Sequence, residues 1–225
     1  MLRNARGVCF DVDSTVITVE GIDELAKFAG KGPAVAQMTS AAMGGKLNFR
    51  EALTQRLRII QPSESMLSEF NRIHTFQTTP GVRDLINSLR KQGTDIFLVS
   101  GGFTQMIHPI AALLGLPNEN VYANTILFDT AGYYAGFDTN APTSCDGGKA
   151  EIVRQLRLAA NNKGPWVVVG DGITDLQARP PADICIGYGG VVTRKAVQTG
   201  ADIFITDFRQ LLADMKQNFF SPPCR

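Results

Sequence analysis

The sequence is poor in the soft side chains that bind zinc or form disulfides. Its 225 residues include two histidines, His74 and His108, and four cysteines that lie far apart along the chain. Zinc sites draw on closely spaced cysteine and histidine pairs, so the spacing excludes a cluster of that kind. Structural disulfides are not expected either. Any metal in this protein must therefore rely on oxygen ligands.

Net charge and long apolar runs are also lacking. Twenty-two basic residues face 21 acidic ones, which leaves a formal charge of +1 and no field to attract nucleic acid or an anionic membrane. Apolar runs such as residues 110–116 are far shorter than the roughly 18 residues that span a bilayer. The first ten residues are too short for a signal-peptide core. We therefore expect a cytoplasmic protein with a small-molecule partner, and the oligomeric state, a homodimer included, stays open.

Short apolar segments followed by helical patterns dominate the rest of the chain. Five of these segments are continuously apolar, as strands buried on both faces are. They are residues 7–12, 95–100, 166–170, 183–186 and 202–205. Strands that alternate with helices predict a parallel sheet. The sequence therefore predicts an α/β fold with a doubly wound, Rossmann-like sheet.

Two insertions interrupt the predicted core, which comprises residues 1–15 and 79–225. About 65 residues with helical patterns and no convincing strand follow the first strand, more than a simple crossover needs. A helical cap is predicted at 16–78, with helices at 22–29, 33–43, 48–60 and 63–74. Residues 121–138 contain alternating apolar and aromatic side chains around a turn, which predicts a β-hairpin.

Apolar residues at helical spacing indicate the helices of the core. One pattern begins with Val82 and another with Ile152. A third runs from Phe103 to Leu114 and contains Pro109. Because proline removes a helical hydrogen bond and crowds the preceding turn, a kink or a delayed helix start is predicted there.

Two acidic pairs follow buried strands. Asp11 and Asp13 lie two residues apart at the end of the first strand, so both carboxylates can face one ligand at the carboxyl edge of the sheet. Asp171 follows another strand, and Asp175 lies one helical turn later. An isolated Asp-x-Asp pair is more often a solvated turn or a helix cap. Four carboxylates at one edge, however, repel one another unless a cation lies among them, and Mg²⁺ accepts all-oxygen ligands.

Glycines and a lysine at neighbouring positions suit an anionic ligand. Ser100, Gly101 and Gly102 lie between a strand and a helix, where backbone amides can approach a phosphate. Lys149 lies at a helix start, which is unfavourable for a cation unless an anion is close. Each motif alone is weak, since such glycines also form tight turns and such lysines are also simply exposed.

In this order the motifs Asp-x-Asp-x-Thr, a strand-end serine, a lysine and Gly-Asp-Gly-x-x-Asp resemble those of the haloacid dehalogenase superfamily. The resemblance implies the core fold of that superfamily and phosphoryl transfer. Asp11 would attack phosphorus and become an aspartyl-phosphate, and Asp13 would act first as an acid and then as a base. Ser100 and Lys149 would bind the phosphoryl oxygens.

The same resemblance implies a metal site. Mg²⁺ would be held by Asp11, by the main-chain carbonyl of Asp13 and by Asp171. Asp175 would orient these ligands from behind.

The predicted cap adds two charged residues that the core does not explain. Arg56 lies within the apolar face of the helix at 48–60. Its planar fork suits a substrate carboxylate, although a snorkelling arginine would give the same pattern. Glu20 lies close in sequence to Asp11 and Asp13, where it either binds an amine or is a surface residue near a helix start.

Further segments resemble one branch of the superfamily, the eukaryotic-type enzymes that hydrolyse O-phospho-L-serine. Among them are Glu-Gly-Ile-Asp-Glu-Leu-Ala, Ala-Met-Gly-Gly and Leu-Thr-Gln-Arg-Leu, and the likeness extends over about residues 8–212, with departures at Pro109 and 143–147. The resemblance implies that Glu20 binds the substrate amine and Arg56 its carboxylate. The other substrate-binding residues that it implies are Ser14, Met43, Gly44, Phe49, Gly101, Gly102 and Thr174.

We therefore expect a Mg²⁺-dependent hydrolase that performs the last step of phosphorylated serine biosynthesis. One alternative is a phosphatase for another small phosphomonoester, such as phosphoethanolamine, which has no carboxylate for Arg56. A second is a non-catalytic sensor of phosphorylated ligands, against which the intact Asp11 and Asp13 argue. A dinucleotide-binding site is disfavoured, because it needs Gly-x-Gly-x-x-Gly after the first strand, where this chain has aspartates.

Overall fold

The computed structural model describes residues 2–42 and 48–217. Within these ranges the strands are β1 (Gly7–Phe10), β2 (Asp95–Phe103), β3 (Val121–Asn124), β4 (Ile126–Phe128), β5 (Tyr134–Phe137), β6 (Trp166–Gly170), β7 (Ile184–Tyr188) and β8 (Ile203–Ile205). Six of them form a parallel sheet in the order β3-β2-β1-β6-β7-β8. The remaining two, β4 and β5, form an antiparallel hairpin.

Helices connect these strands. They are α1 (Gly21–Phe28), α2 (Gly32–Ala42), α3 (Phe49–Ile60), α4 (Glu64–Ile73), α5 (Val82–Lys91), α6 (Thr104–Leu113), α7 (Gly148–Ala159), α8 (Ile173–Leu176), α9 (Lys195–Gly200) and α10 (Phe208–Gln217). In the part of the chain that the structure describes, no helix has the length and apolar character needed to cross a membrane.

The sheet is buried on both faces, which explains why its strands are continuously apolar. Val8 and Phe10 of β1 belong to one apolar cluster together with Leu85 of α5. Cys9, between them, belongs to a second cluster together with Ile152 of α7. Alternate residues of one strand thus meet helices on opposite sides. The predicted α/β fold with a doubly wound parallel sheet is confirmed.

The predicted hairpin begins later than expected. Residues 126–137 form it, whereas Val121–Asn124 form the edge strand of the main sheet and pair with β2. Three of the four residues of this short strand are only partly buried. An edge strand is covered less completely than a central one, so its sequence lacks a continuous apolar run and merges with the hairpin pattern that follows.

The four helices α1 to α4 lie between β1 and α5 in the chain. The segments that enter and leave this region run side by side: the amide of Thr79 donates to the carbonyl of Val16 at 2.9 Å, and that of Thr18 donates to Gln77 at 3.1 Å. The division into a cap at 16–78 and a core at 1–15 and 79–225 stays a prediction. The hydrogen bonds between the two connecting segments are compatible with this division.

Pro109 lies inside α6 and does not delay its start. The helix begins at Thr104, so the delayed start is wrong. Proline lacks the amide that would bond the carbonyl of Gln105, four residues earlier. That carbonyl accepts a hydrogen bond from Asn71 Nδ2 of α4 at 2.8 Å instead. A side chain from the helical insertion thus satisfies the group that proline leaves free.

Phe208 joins α10 to the sheet, and its removal is expected to lower the stability of the fold. Its ring is fully buried, stacks on Tyr188 with centroids 4.4 Å apart and meets Phe10 edge-on at 6.3 Å. We expect Phe208→Ala to lower the free energy of unfolding by about 3–5 kcal/mol in equilibrium urea denaturation. Leu158→Ala, at a side chain that is 58% exposed, is the control. A similar loss in both variants would show that Phe208 does not anchor α10 to the sheet.

Candidate active site

A cavity of about 330 Å³ opens at the carboxyl ends of β1, β2 and β6, where an open α/β sheet binds its ligands. Side chains of α1 and α3 form its opposite wall. Three predicted site residues, Ser14, Ser100 and Asp175, are buried and hydrogen-bonded to residues that line the cavity, and two, Met43 and Gly44, fall outside the described residues. The predicted residues that line the cavity are Asp11, Asp13, Glu20, Phe49, Arg56, Gly101, Gly102, Lys149, Asp171 and Thr174.

A buried lysine joins two carboxylates at the base of the cavity. Nζ of Lys149 lies 2.9 Å from Oδ1 of Asp11 and 2.8 Å from Oδ1 of Asp175, and the lysine is only 7% exposed. Burial alone would lower the pKa of Lys149, but the two carboxylates hold it above its ordinary value. This arrangement supplies the anionic neighbour that a lysine at a helix start requires.

The loop before α7 determines where this helix begins, one residue before Lys149. Gly147 has φ +74°, the left-handed region that favours glycine. A Cβ added to Gly148 would lie 1.9 Å from the carbonyl oxygen of Pro142. The backbone conformation at Gly147 and the close contact at Gly148 therefore both favour glycine, and Lys149 is the next residue.

Asp171 is held by two donors from different parts of the chain. Thr15 Oγ1 donates to its Oδ1 at 3.1 Å, and Arg194 Nε donates to its Oδ2 at 3.0 Å. Arg194 also approaches Oε1 of Glu20 at 3.7 Å. Burial raises the pKa of Asp171, and the negative charge of Asp11 adds to that effect. The two donors oppose this shift and stabilise the ionised form.

The carboxylates of Asp11, Asp171 and Asp175 suit a divalent ion. One oxygen from each lies within 4.8 Å of the others, and all three residues are buried. Hard oxygen ligands at such spacing match a cation of the magnesium type. Asp175 already bonds Lys149 through Oδ1 and the amide of Gly172 through Oδ2, so it is suited to orient the other ligands.

Asp13 occupies a different environment from Asp11. Its Oδ1 accepts a hydrogen bond of 2.7 Å from the amide of Gly21, at the start of α1. Burial, followed by the nearby charges of Glu20 and Asp11, raises the pKa of Asp13 to about 8. A carboxyl group that keeps its proton near neutral pH can donate it to a leaving group.

Gly101 and Gly102, near the carboxyl end of β2, have packing reasons to lack side chains. A Cβ on Gly101 would lie 2.6 Å from Cζ of Phe49, and one on Gly102 would lie 3.1 Å from Oδ2 of Asp13. The amide of Gly102 also donates to Oγ of Ser100 at 2.9 Å. The backbone thus forms part of the cavity wall between the aspartates and the ring of Phe49.

Opposite charges flank the entrance side of the cavity. Glu20 accepts a hydrogen bond of 2.7 Å from Ser14 Oγ, and burial raises the pKa of Glu20. Arg56 is half-buried and forms no ion pair with any residue in 2–42 or 48–217. Burial lowers the pKa of Arg56, while Asp23, Glu20 and Asp13 oppose that shift from farther away. An anionic ligand group would supply the missing partner.

Thr15 and Arg194, which both donate hydrogen bonds to Asp171, are not among the site residues predicted from the sequence. Thr15 belongs to the Asp-x-Asp-x-Thr motif, so the motif itself contained a signal for it. Arg194 follows Val-Val-Thr in a loop without periodicity, and only the fold brings it to Asp171. Loop residues of this kind leave no pattern that sequence reasoning can use.

The sheet and the aspartate-rich edge define a hydrolase of the haloacid dehalogenase type. The chain belongs to the haloacid dehalogenase-like hydrolase family, whose model matches residues 8–178.

Within this family the chain is a phosphatase enzyme, as its relatives indicate. It is 47% identical over 214 residues to a phosphoserine phosphatase of Mus musculus, with 95% of each chain covered. It is 48% identical to a chloroplastic phosphoserine phosphatase of Arabidopsis thaliana, over 93% of this chain and 72% of that one. A solved structure described as a phospho-aspartyl intermediate analogue of phosphoserine phosphatase is 27% identical with a TM-score of 0.79, covering 94% of this chain and 99% of the other.

Removing the buried lysine is expected to destabilise the protein. Lys149→Met would leave Asp11 and Asp175 buried without their shared cation, so the free energy of unfolding should fall by about 3–5 kcal/mol without added metal. The matched control is Lys27→Met, which breaks an exposed ion pair with Glu24 and should leave stability unchanged. Chemical denaturation measures both. Equal stability of the Lys149 variant and the wild type would refute the role of Lys149 as their counter-charge.

Proposed function

We propose that this protein hydrolyses O-phospho-L-serine to L-serine and inorganic phosphate, with Mg²⁺ as cofactor and Asp11 as nucleophile. The observation that carries the proposal is one cavity in which a lysine-bridged cluster of aspartates faces two opposite charges, Arg56 and Glu20. Phosphoserine carries a phosphate, a carboxylate and an amine. The names of the relatives support the same substrate.

Asp11, Asp171 and the main-chain carbonyl of Asp13 would hold the magnesium ion, with Asp175 behind them. When bound, the ion would supply positive charge that neutralises the carboxylates and the phosphoryl oxygens. The all-oxygen, buried donor set supports this assignment.

In the first half-reaction a carboxylate oxygen of Asp11 attacks phosphorus, and the bond from phosphorus to the serine oxygen breaks. Asp13 gives its proton to that leaving oxygen, so L-serine departs neutral at its hydroxyl and the phosphoryl group remains on Asp11. The raised pKa of Asp13 supports this role. Lys149 and Ser100 would bind the phosphoryl oxygens as their charge redistributes.

In the second half-reaction Asp13, now ionised, takes a proton from water. The water oxygen attacks phosphorus, and the bond to Asp11 breaks to release inorganic phosphate and the free carboxylate. Backbone groups of Gly101 and Gly102, together with Thr174, would keep the phosphoryl group in place through both steps.

The two ends of serine would be recognised from the opposite wall. Arg56 would bind the carboxylate as a planar fork, and its lack of an ion pair in the described chain supports that role. Glu20, held by Ser14, would bind the ammonium group. Phe49, Met43 and Gly44 would cover the bound amino acid and limit the access of water.

We also propose a metabolic role and a cellular location for this reaction. The reaction would complete the phosphorylated route to serine in the cytoplasm, with the protein as a monomer or a homodimer. Because one relative is described as chloroplastic, cell fractionation with an antibody is the direct test of location.

The proposed nucleophile can be tested by activity and by covalent labelling. We expect Mg²⁺-dependent phosphate release from phosphoserine that chelation with EDTA abolishes, and a loss of at least about 10³-fold in Asp11→Asn. After acid quenching, labelled phosphoserine should leave its phosphate on Asp11 of the wild type. Asp84→Asn, at an exposed position in α5, should remain fully active. A label on another residue would contradict the mechanism.

The proposed recognition of the carboxylate predicts a selective defect. Arg56→Gln should lower kcat/KM for phosphoserine by about 100-fold, because a charged, bidentate contact is lost, while p-nitrophenyl phosphate and phosphoethanolamine change little. Steady-state kinetics on the three substrates measure the selectivity. Arg58→Gln, an exposed change on the same helix, is the control. Equal losses on all three substrates would rule out the assigned role.

A further inference from the structure

Arg50, at the start of α3, contacts the loop that precedes Lys149. Its Nη2 lies 2.8 Å from the carbonyl oxygen of Thr139 and 3.0 Å from Oγ of Ser144, and it also contacts Sγ of Cys145. Its Nε is buried and has no hydrogen-bond partner among the described residues. The guanidinium group is therefore partly buried against the loop, with its Nε shielded from solvent.

The same loop sets the start of α7. The amide of Gly148 donates to the carbonyl of Cys145 at 3.1 Å, and Gly148 packs directly against the carbonyl of Pro142. Lys149 is the next residue, and its Nζ bridges Asp11 and Asp175. Any displacement of the loop would thus move the backbone that carries the lysine.

A second set of bonds joins the loop to Gly101, near the carboxyl end of β2. Thr143 Oγ1 donates to Oδ1 of Asn124 at 3.0 Å, and Asn124 Nδ2 donates to the carbonyl of Gly101 at 2.8 Å. Asn124 is fully buried, and Thr143 is 5% exposed. Phe49, the neighbour of Arg50 in α3, packs on Gly101 from the other side. Loop, glycine and helix therefore form one connected network.

We infer that Arg50 is a positioning residue that fastens α3 to residues 139–145 and thereby holds Lys149 and Gly101 in place around the phosphate. The inference rests on the proposed function for the reaction that it serves. Arg50 does not line the cavity, whereas Thr143 and Cys145 of the loop do, so Arg50 would act through the loop and not by contact with the substrate.

The kinetic test compares Arg50 with Arg56. Since the network supports the phosphate side, Arg50→Gln should lower kcat about tenfold on phosphoserine and on p-nitrophenyl phosphate alike, with little change in KM. Arg56→Gln, in contrast, should affect phosphoserine selectively. Arg50→Lys keeps the charge without the planar fork and should recover part of the rate. Arg58→Gln on the same helix should match the wild type.

Alkylation of Cys145 provides a readout that does not depend on turnover. Cys9 and Cys185 are buried, whereas Cys145 is partly exposed beside Arg50. We expect iodoacetamide to modify Cys145 at least about fivefold faster in Arg50→Gln than in the wild type or Arg58→Gln, because opening of the contact costs less. Mass spectrometry of the peptide that contains Cys145 measures the rate.

Each outcome decides the inference. Wild-type alkylation of Arg50→Gln, or faster alkylation with unchanged kcat on both substrates, would overturn it. If Arg50→Gln fails to fold, Ser144→Ala removes an acceptor of Arg50 at a residue that does not line the cavity and should also lower kcat on both substrates; unchanged kcat would again overturn the inference. If the wild-type enzyme hydrolyses p-nitrophenyl phosphate but not phosphoserine, the proposed function is refuted. The inference about Arg50 can still be tested in that case, because the aryl substrate reports on the same phosphate side of the cavity.

Discussion

The crowding of negative charge at one sheet edge is the constraint on which the site depends. Asp11, Asp171 and Asp175 are all buried within a few ångströms of one another, and buried charges of like sign destabilise a fold unless counter-charges lie among them. Lys149 supplies one such charge and Arg194 another. The backbone is adapted to the same need, because a Cβ on Gly170 would lie 2.1 Å from the carboxyl carbon of Asp175.

That constraint also separates the chemical characters of the two aspartates of the first motif. Asp11 bonds Lys149 and the amide of Val12, which oppose the rise in its pKa that burial causes. Asp13 has a single amide donor and lies near Glu20, so burial and like charge act on it with less opposition. The pKa of both groups is still raised, to about 7 for Asp11 and about 8 for Asp13, so Asp13 is the better suited of the two to keep a proton, as the proposed roles require.

The site residues that could be predicted from the sequence are those at the carboxyl ends of buried strands. Five of the six strands of the parallel sheet were predicted from continuous apolarity, and the carboxyl ends of β1, β2 and β6 bring Asp11, Gly101 and Asp171 to one cavity. Sequence reasoning could not predict contacts that involve loops. Arg194 lies in a loop, and Arg50, although it lies on the predicted helix at 48–60, contacts a loop that carries no periodic pattern. Sequence reasoning also misassigned the edge strand β3, whose partial burial removes the apolar signal. Hydrophobic periodicity reflects burial within one helix or strand. It carries no information on which loops contact which other parts of the chain.

The position of the helical insertion explains how the two halves of the cavity come together. The chain leaves β1 at Asp11 and enters α1 only after Glu20, so the tight loop between them, with Ser14 at φ +52°, places a helix start against Asp13. Asp13 bonds the first amide of that helix, and Ser14 bonds Glu20. An insertion elsewhere in the core would need separate contacts to reach the aspartates. Here the same few residues end the strand, bind the helix and form the cavity wall, so the proposed recognition of the substrate and the proposed chemistry would use one backbone segment.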